Sequence, residues 1–469
     1  MKTSYSIKTT TVKKISSILK PFVKTTLAIA TAFSLITAAQ AATGPAEKTD
    51  LKFGFIKLTD MADLAVAYEN GYFDDEGLTV ELEAQANWKV VLDRVISGEL
   101  DGSHMLLAQP VAANIGYGTQ AELVFPFTMT QNTYAITVSN EIWKKMKKNV
   151  PVGADGKLVH PISASSLKPV ADSLKDAGKT MQMGVVFPVS THNMGLRYWL
   201  AAGGIRPGYY APHKGDTTGQ IDADVLLSVT PPPQMPATME AGTIQGYSVG
   251  EPWNQQAVFR GIGVPVMAVH NKIGDKVFGV RKDFIEKNPN TTIRVVKAMI
   301  RAAKWFDENN NANRSAGAKM ISAAHYVGAD YKVIANSMTG VFEYERKDVR
   351  PTPDFNVFFR YNASYPHTSD AVWYLTQMRR WGQIPEAKPD SWYMEMAKKA
   401  VAPEIYQQAA ADLIAEGKMA ASDFPDFKTF NGIRAVNETE WIDGVQFDAT
   451  KPNEYLNKFK IGLKGDEKI

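Results

Sequence analysis

The 469-residue sequence contains no cysteine. It therefore has neither a disulfide framework nor a thiol able to carry a lipid anchor. Histidine is scarce too: the seven residues show no H-E-x-x-H or other close ligand pairing. No G-x-x-x-x-G-K-[ST] loop is present either, so the commonest zinc and phosphate sites are missing. Beyond residue 41 no apolar run is long enough to span a membrane. Nor is there a basic excess. Six lysines before residue 25 carry the positive balance, and without residues 1–41 the formal charge turns from +3 to −3, with 46 basic against 49 acidic side chains. Such a balance offers no nucleic-acid footprint and no long-range electrostatic instruction.

What is present begins at the amino end. Lys2, Lys8, Lys13, Lys14, Lys20 and Lys24 precede an apolar run over 27–39, and Ala39-Gln40-Ala41 supplies a small-x-small site. This reads as a secretory signal over 1–41, cut after Ala41, which places the mature chain in the bacterial periplasm in soluble form. The roughly 428 residues that remain are enough for two α/β lobes with good cores.

Residues 183–205 organise the rest. An apolar run over 184–189 predicts a buried strand, Leu196, Trp199, Leu200 and Gly203 recur at helical spacing, and Gly203-Gly204 stops the helix. Ser190, Thr191, His192 and Asn193 then fall at the helix entrance, where free N–H groups and the helix dipole suit an anion. Plain N-capping by Ser190 or Thr191 is the competing reading. Upstream, a strand over 51–58, a helix over 60–70 closed by Gly71 and a strand over 78–82 predict a βαβ opening. A helix over 87–100, a strand over 103–107 and a helix begun by Gln109-Pro110 follow.

A repeat is present in this pattern. Ser97-Gly-Glu-Leu-Asp-Gly102, a strand and Gln109-Pro110 match Ala241-Gly-Thr-Ile-Gln-Gly246, a strand and Glu251-Pro252. The strand and helix ending at Gly71 likewise parallel those ending at Gly203. Two copies of one plan, more than a hundred residues apart, predict two similar lobes, with polar corners facing a shared crevice beyond the carboxyl ends of their strands. Lobe 1 is expected over 51–136 and 272–469, with helices at the carboxyl end, and lobe 2 over 137–271. Residues 144–179 read as a solvated insertion, and the aromatic-rich stretch from Phe355 to Tyr365 as packing anchors.

Gly246-Tyr-Ser-Val-Gly250 matches the G-x-S-x-G nucleophile elbow. Its context is wrong, because an elbow serine sits on a strand-to-helix turn and here residues 247–249 are the strand itself. A serine hydrolase using Ser248 is thus the remote alternative. The polar groups at strand ends are Trp88, Gln109, Gln131 to Tyr134, Thr191, His192, Gly250 and Glu251. Each singly has a bland reading as core or cap, and they gain meaning only by converging on one cleft.

Thr191-His192 with Leu196-Arg-Tyr-Trp-Leu-Ala-Ala-Gly-Gly-Ile205, then Pro231-Pro-Pro-Gln-Met235, Val249-Gly-Glu-Pro-Trp-Asn254 and Lys276-Val-Phe-Gly-Val280, in that order, resemble the nitrate-binding family of ABC-transporter solute receptors. The resemblance covers roughly residues 51–430. It implies an α/β, two-lobed periplasmic-binding-protein fold (type II, Venus-flytrap) with the ligand cleft between lobes, a helical carboxyl-terminal part and no catalysis. Carried over by position, the family's ligand residues fall on Trp88, His192, the Gly250 backbone and Lys276. The family's glutamine before the strand Ile-x-Val is Tyr134 here, with Gln131 and Asn132 nearby. The segments 144–179 and 206–220 also depart from the family pattern.

The resulting expectation is a periplasmic receptor that captures a small oxyanion, nitrate or nitrite first, and delivers it to the permease and ATPase subunits of an ABC importer. Lys276 would supply charge, His192 and Thr191 directed donors, Gly250 a backbone N–H and Trp88 a flat wall. Tyr134 and Glu251 would border the ligand. Bicarbonate or an organic anion such as a sulfonate is the alternative. Glu251 facing an anion would have to be protonated, paired with Lys276, or bridged by Ca²⁺ in the bicarbonate case; otherwise no cofactor is expected. Lys276→Met is expected to weaken binding about ten- to a hundred-fold with the folded state nearly unchanged.

Overall fold

The computed structural model describes residues 43–212, 215–436 and 441–469; the signal segment expected at 1–41 lies outside them. Ten strands carry the architecture: β1 (Asp50–Phe55), β2 (Thr79–Ala84), β3 (Gly102–Leu106), β4 (Leu123–Gln131), β5 (Tyr134–Ser139), β6 (Met181–Val185), β7 (Val225–Val229), β8 (Gly246–Gly250), β9 (Gly263–Ala268) and β10 (Gly274–Arg281). They form two five-stranded sheets, β2-β1-β3-β10-β4 and β9-β5-β8-β6-β7. In the first, β1 is parallel to β2 and β3, while β10 runs antiparallel to β3 and β4. In the second, β6 is parallel to β7 and β8, while β5 runs antiparallel to β8 and β9.

The sheets share one plan when β1 is matched with β6 and β3 with β8, the pairs that the repeated sequence equates. The two antiparallel strands β10 and β5 each enter directly from the other sheet. Residues 132–133 join β4 to β5, and residues 269–273 join β9 to β10.

Helices α1 (Ala62–Glu69), α2 (Trp88–Ser97), α3 (Ala108–Asn114), α4 (Lys168–Asp176), α5 (Thr191–Ala202), α6 (Trp253–Arg260), α7 (Pro289–Asn311), α8 (Thr368–Arg380) and α9 (Pro403–Ala415) cover the sheets. One apolar core joins Leu51, Phe53 and Phe55 of β1 to Val296, Met299 and Ile300 of α7 and to Ala409 and Leu413 of α9. A second core continues from Val91 and Val95 of α2 through Ile136 and Met183 to Trp373 and Trp381. Helix α8 touches both halves of the plan. Asp370 accepts from Gly274 N–H at 2.9 Å, and Tyr210 N–H donates to Trp381 O at 2.9 Å.

Two stretches differ from expectation. The buried strand expected over 184–189 lies earlier, as β6, and residues 186–190 with Pro188, which has no N–H to pair, form the turn into α5. Residues 144–179 include α4, whose Val170 and Ala171 are buried along with Ile162 and Leu167. The charged residues of that segment form an outer face over an apolar seam. Phe355, Phe358 and Tyr365 are buried packing groups, as the aromatic stretch suggested. Among the described residues, no helix is long and apolar enough to cross a membrane.

Candidate functional site

Parallel strands point their carboxyl ends at a common edge, where chains turn and leave polar groups free. Asp60 follows β1, Trp88 follows β2, Gln109 follows β3, Thr191 follows β6 and Glu251 follows β8. The antiparallel strands bring their first residues to the same edges: Lys276 of β10 lies opposite Leu106 at the end of β3, and Tyr134 of β5 opposite Gly250 at the end of β8. The two edges meet directly. Thr59 N–H donates to Glu251 O at 2.8 Å, Glu251 N–H to Thr133 O at 3.1 Å, and Trp253 Nε1 to Lys57 O at 3.0 Å. Between them Asp60, Trp88, His104, Thr133, His192, Glu251 and Lys276 are all 0% exposed, and Gly250 is buried.

Lys276 is the cation of this enclosure, held between two carboxylates. Its Nζ lies 2.8 Å from Asp60 Oδ2 and 2.7 Å from Asp275 Oδ2. Thr133 Oγ1 is 3.2 Å from Asp60 Oδ2 and 2.6 Å from Asp275 Oδ2, and Thr191 Oγ1 donates to Asp275 Oδ1. On the far side of Asp60, its Oδ1 is 2.9 Å from His104 Nε2. His104 Nδ1 accepts from Ile56 N–H at 3.3 Å, which puts the ring proton on Nε2 facing the carboxylate. Burial alone would raise Asp60, but Lys276 and His104 outweigh it and hold the carboxyl below its usual range. Asp275 is lowered by the same balance between burial and Lys276. Lys276 is raised, its two carboxylates overriding its own burial. His104 is lowered by burial. The cluster thus holds one ammonium and two carboxylates.

Around it stand polar atoms that make no hydrogen bond to any described residue. These include both ring nitrogens of His192, Trp88 Nε1 and Tyr134 Oη. The Tyr134 and His192 rings are 5.0 Å apart, the Trp88 and His104 rings 5.2 Å, and Lys276 Nζ is 5.7 Å from the Trp88 ring centroid. Burial and Lys276 push the His192 imidazole down to about 3. Burial pushes the Glu251 carboxyl up to about 8, so it is mostly protonated at neutral pH. Tyr134 is raised by burial and by Asp275.

Several neighbours serve to fix this geometry. Gln109 Oε1 accepts from Leu106 N–H at 3.1 Å and its Nε2 donates to Trp88 O at 2.8 Å, clamping the start of α2 to the end of β3. Ser190 caps α5 by accepting from Asn193 N–H at 3.0 Å. This leaves the Thr191 hydroxyl for Asp275. Tyr374 Oη of α8 lies 2.7 Å from Thr191 Oγ1 and 3.0 Å from Gly274 O, joining the two halves just behind Lys276. Gln131 and Asn132 are engaged elsewhere: Gln131 accepts from the Arg434 guanidinium, and Asn132 holds Lys272 N–H and Asp354 O. Tyr134, by contrast, packs on the His192 ring. Its hydroxyl abuts Gly195 so closely that a Cβ there would overlap Oη and lie 3.0 Å from Cζ. Gly195→Ala should cost about 1–3 kcal/mol by overpacking, with part recovered in Gly195→Ala/Tyr134→Phe. Chemical denaturation of the three variants checks this, and an unchanged midpoint for Gly195→Ala would contradict the packing.

A groove of about 1010 Å³ opens beside the enclosure. Phe187, Pro188, Ile384 and Trp392 line it, and it reaches Trp88 and Gln109 but not Lys276, His192 or Tyr134. Ser248 lies inside β8 with its Oγ buried and hydrogen-bonded to no described residue, so no imidazole activates it. Among the described residues no group of three or more His, Asp or Glu is placed to hold a metal ion.

Sequence reasoning had named Trp88, Tyr134, Thr191, His192, Gly250, Glu251 and Lys276, and the fold brings all seven to this enclosure. Asp60, His104, Asp275 and Tyr374 were not named, and Thr133 entered only within the stretch Gln131 to Tyr134. A usable signal existed for Asp60, since Thr59-Asp60 is the corner after β1 that matches Ser190-Thr191 after β6. The expectation that Lys276 could be lost without harm to the fold does not survive. Its ammonium is the buried partner of two carboxylates rather than a charge waiting for a ligand.

The comparisons with known proteins agree with this architecture. The nitrate/nitrite binding protein NrtA of Nostoc sp. is 33% identical over 427 residues, covering 88% of this chain and 86% of that protein. The nitrate import ATP-binding protein NrtC of Synechocystis is 31% identical over 424 residues, 88% of this chain but 56% of that longer protein. The crystal structure of the periplasmic nitrate-binding protein NrtA from Synechocystis superposes with a TM-score of 0.75 at 27% identity, over 89% of this chain and 100% of that one. Residues 44–322 match the NMT1-like family, and with a relative at this identity over nearly its full length, the chain belongs to that family and has its two-lobed solute-binding fold.

Proposed function

We propose that this chain is the solute-binding receptor of an ABC importer, and that it captures nitrate or nitrite between its lobes in the periplasm and presents it to the membrane permease and its ATPase. No bond is made or broken. The observation that carries this reading is the set of buried donors without partners, His192, Trp88 Nε1 and Tyr134 Oη, grouped around the Lys276 ammonium. A planar oxyanion satisfies such donors at once, and exclusion of water strengthens each bond. The identity to nitrate/nitrite-binding and nitrate-import relatives supports the same ligand. The reading needs no metal, since the place between Asp60 and Asp275 that a cation would take is held by Lys276 Nζ.

Bicarbonate is the second reading, favoured by one feature. A ring nitrogen of His192 is free to accept the proton that bicarbonate carries and nitrate lacks. Calorimetry of the ligand-stripped mature protein with nitrate, nitrite, bicarbonate and an alkanesulfonate separates these. Saturable heat with nitrate or nitrite is expected. Heat with bicarbonate or sulfonate alone would replace the first reading, and no heat with any of them would remove the receptor assignment.

A further inference from the structure

His192 is placed to do more than donate one hydrogen bond. It is wholly buried, and neither Nδ1 nor Nε2 is hydrogen-bonded to a described residue. A neutral imidazole carries one N–H and one lone pair. Nitrate and nitrite ions accept only, so one edge of the ring suits them and the other opposes them.

The charges that face His192 sharpen the conflict. Lys276 and Asp275 come from β10 and Asp60 from the turn before α1, all three close enough to bias the ring. Tyr134 of β5 packs on it, and Tyr374 of α8 reaches the adjoining Thr191. One ammonium against two carboxylates leaves the cluster with one excess negative charge before any ligand enters. A captured anion would raise that excess to two in a space sealed from water, where such charge is poorly tolerated.

We infer that the site takes up its anion together with one proton from solvent, and that His192 receives this proton, so that the bound anion faces an imidazolium with two N–H donors. This rests on the anion-receptor reading above and deepens it. The proton adds to the free ring nitrogen, no electrons move, and the net charge of the cluster is the same before and after capture. Before capture the ring is neutral, because burial and Lys276 hold its pKa at about 3. An anion at hydrogen-bond distance acts opposite to Lys276 and lifts the ring.

Calorimetry of nitrate binding to the mature protein, repeated in buffers of different ionisation enthalpy, counts the protons. Near pH 5.5, below the titration of the complex, uptake should approach one proton per nitrate and the affinity should fall about ten-fold per pH unit, and above that titration both the uptake and the pH dependence should fade. Isotope-labelled histidine in the unaltered protein should show the His192 ring changing from neutral to doubly protonated on nitrate addition. In His192→Gln, which keeps a donor and an acceptor but cannot titrate, uptake should drop to near zero while weaker binding remains. Binding with no proton uptake between pH 5.5 and 8 would overturn the inference. So would full uptake in His192→Gln, or an unchanged ring signal, because either would place the proton on a carboxylate. Absence of nitrate binding at every pH would overturn the receptor reading and this inference with it.

Discussion

Replacing Lys276 with methionine should destabilise the folded protein by about 3–5 kcal/mol, the usual result of stripping one partner from a buried ion pair, and abolish measurable nitrate binding. Both effects come from the same cause. Asp60 and Asp275 are wholly buried and ionised because Lys276 lies 2.8 and 2.7 Å from them. With the ammonium gone, each carboxylate must take a proton or remain charged in a dry enclosure.

The pH dependence has a defined sign. In the unaltered protein both carboxyls are held below their ordinary range, so their contribution is present above the unfolded value of about 3.9 and is lost on acidification. In Lys276→Met they are no longer held down, and the deficit should be largest at neutral pH and narrow below about pH 4. Adding Asp60→Asn and Asp275→Asn should restore most of the stability without restoring affinity. Denaturant titrations at pH 4 and pH 7.5 read this. A single variant as stable as the parent at pH 7.5 would mean that the three charges are not coupled as described.

Glu251→Gln should have the opposite effect on stability. Burial pushes the Glu251 carboxyl up from the ordinary 4.5 to about 8, so the folded protein keeps a proton that the unfolded chain releases. For such a group stability is full below 4.5, declines as pH rises, and is lost once pH passes about 8. Glutamine has the shape of the protonated form and does not titrate. Its Oε1 can replace the oxygen that accepts from Gln255 N–H at 3.2 Å. The variant should match the parent near pH 4.5 and exceed its stability at pH 8.5 by on the order of 2–5 kcal/mol. Equal stability at both pH values would place the Glu251 carboxyl in contact with water or with a cation.

The strands were legible wherever apolar residues alternated or ran together between turn signals, as in β1 and β8, although the strand expected over 184–189 begins and ends earlier as β6, and the repeated plan relating the two sheets was visible in two short motifs. The helix at 168–176 was obscured because its buried side is narrow, mainly Val170 and Ala171, and charged residues dominate the stretch. At the site, position was easier to read than charge. Residues following parallel strands had to meet at one edge, which gathered Trp88, Thr191, His192 and Glu251. Lys276 was identified only through resemblance, and Asp275 beside it looked like an ordinary polar residue. What made Asp60 important was its closeness to an ammonium more than two hundred positions away, which Asp275 shares from the next residue. No local pattern encodes that distance. The same holds for His104, an isolated histidine in a strand whose partner Asp60 comes from the neighbouring strand's end.

The most direct test of the proposed receptor is a crystal structure of the mature protein grown with nitrate at saturating concentration. Planar density within hydrogen-bond reach of His192, with Trp88, Tyr134 and Lys276 around it, is the predicted result. An empty enclosure under conditions where calorimetry shows binding, or nitrate lying instead in the groove between Phe187 and Trp392, would contradict it.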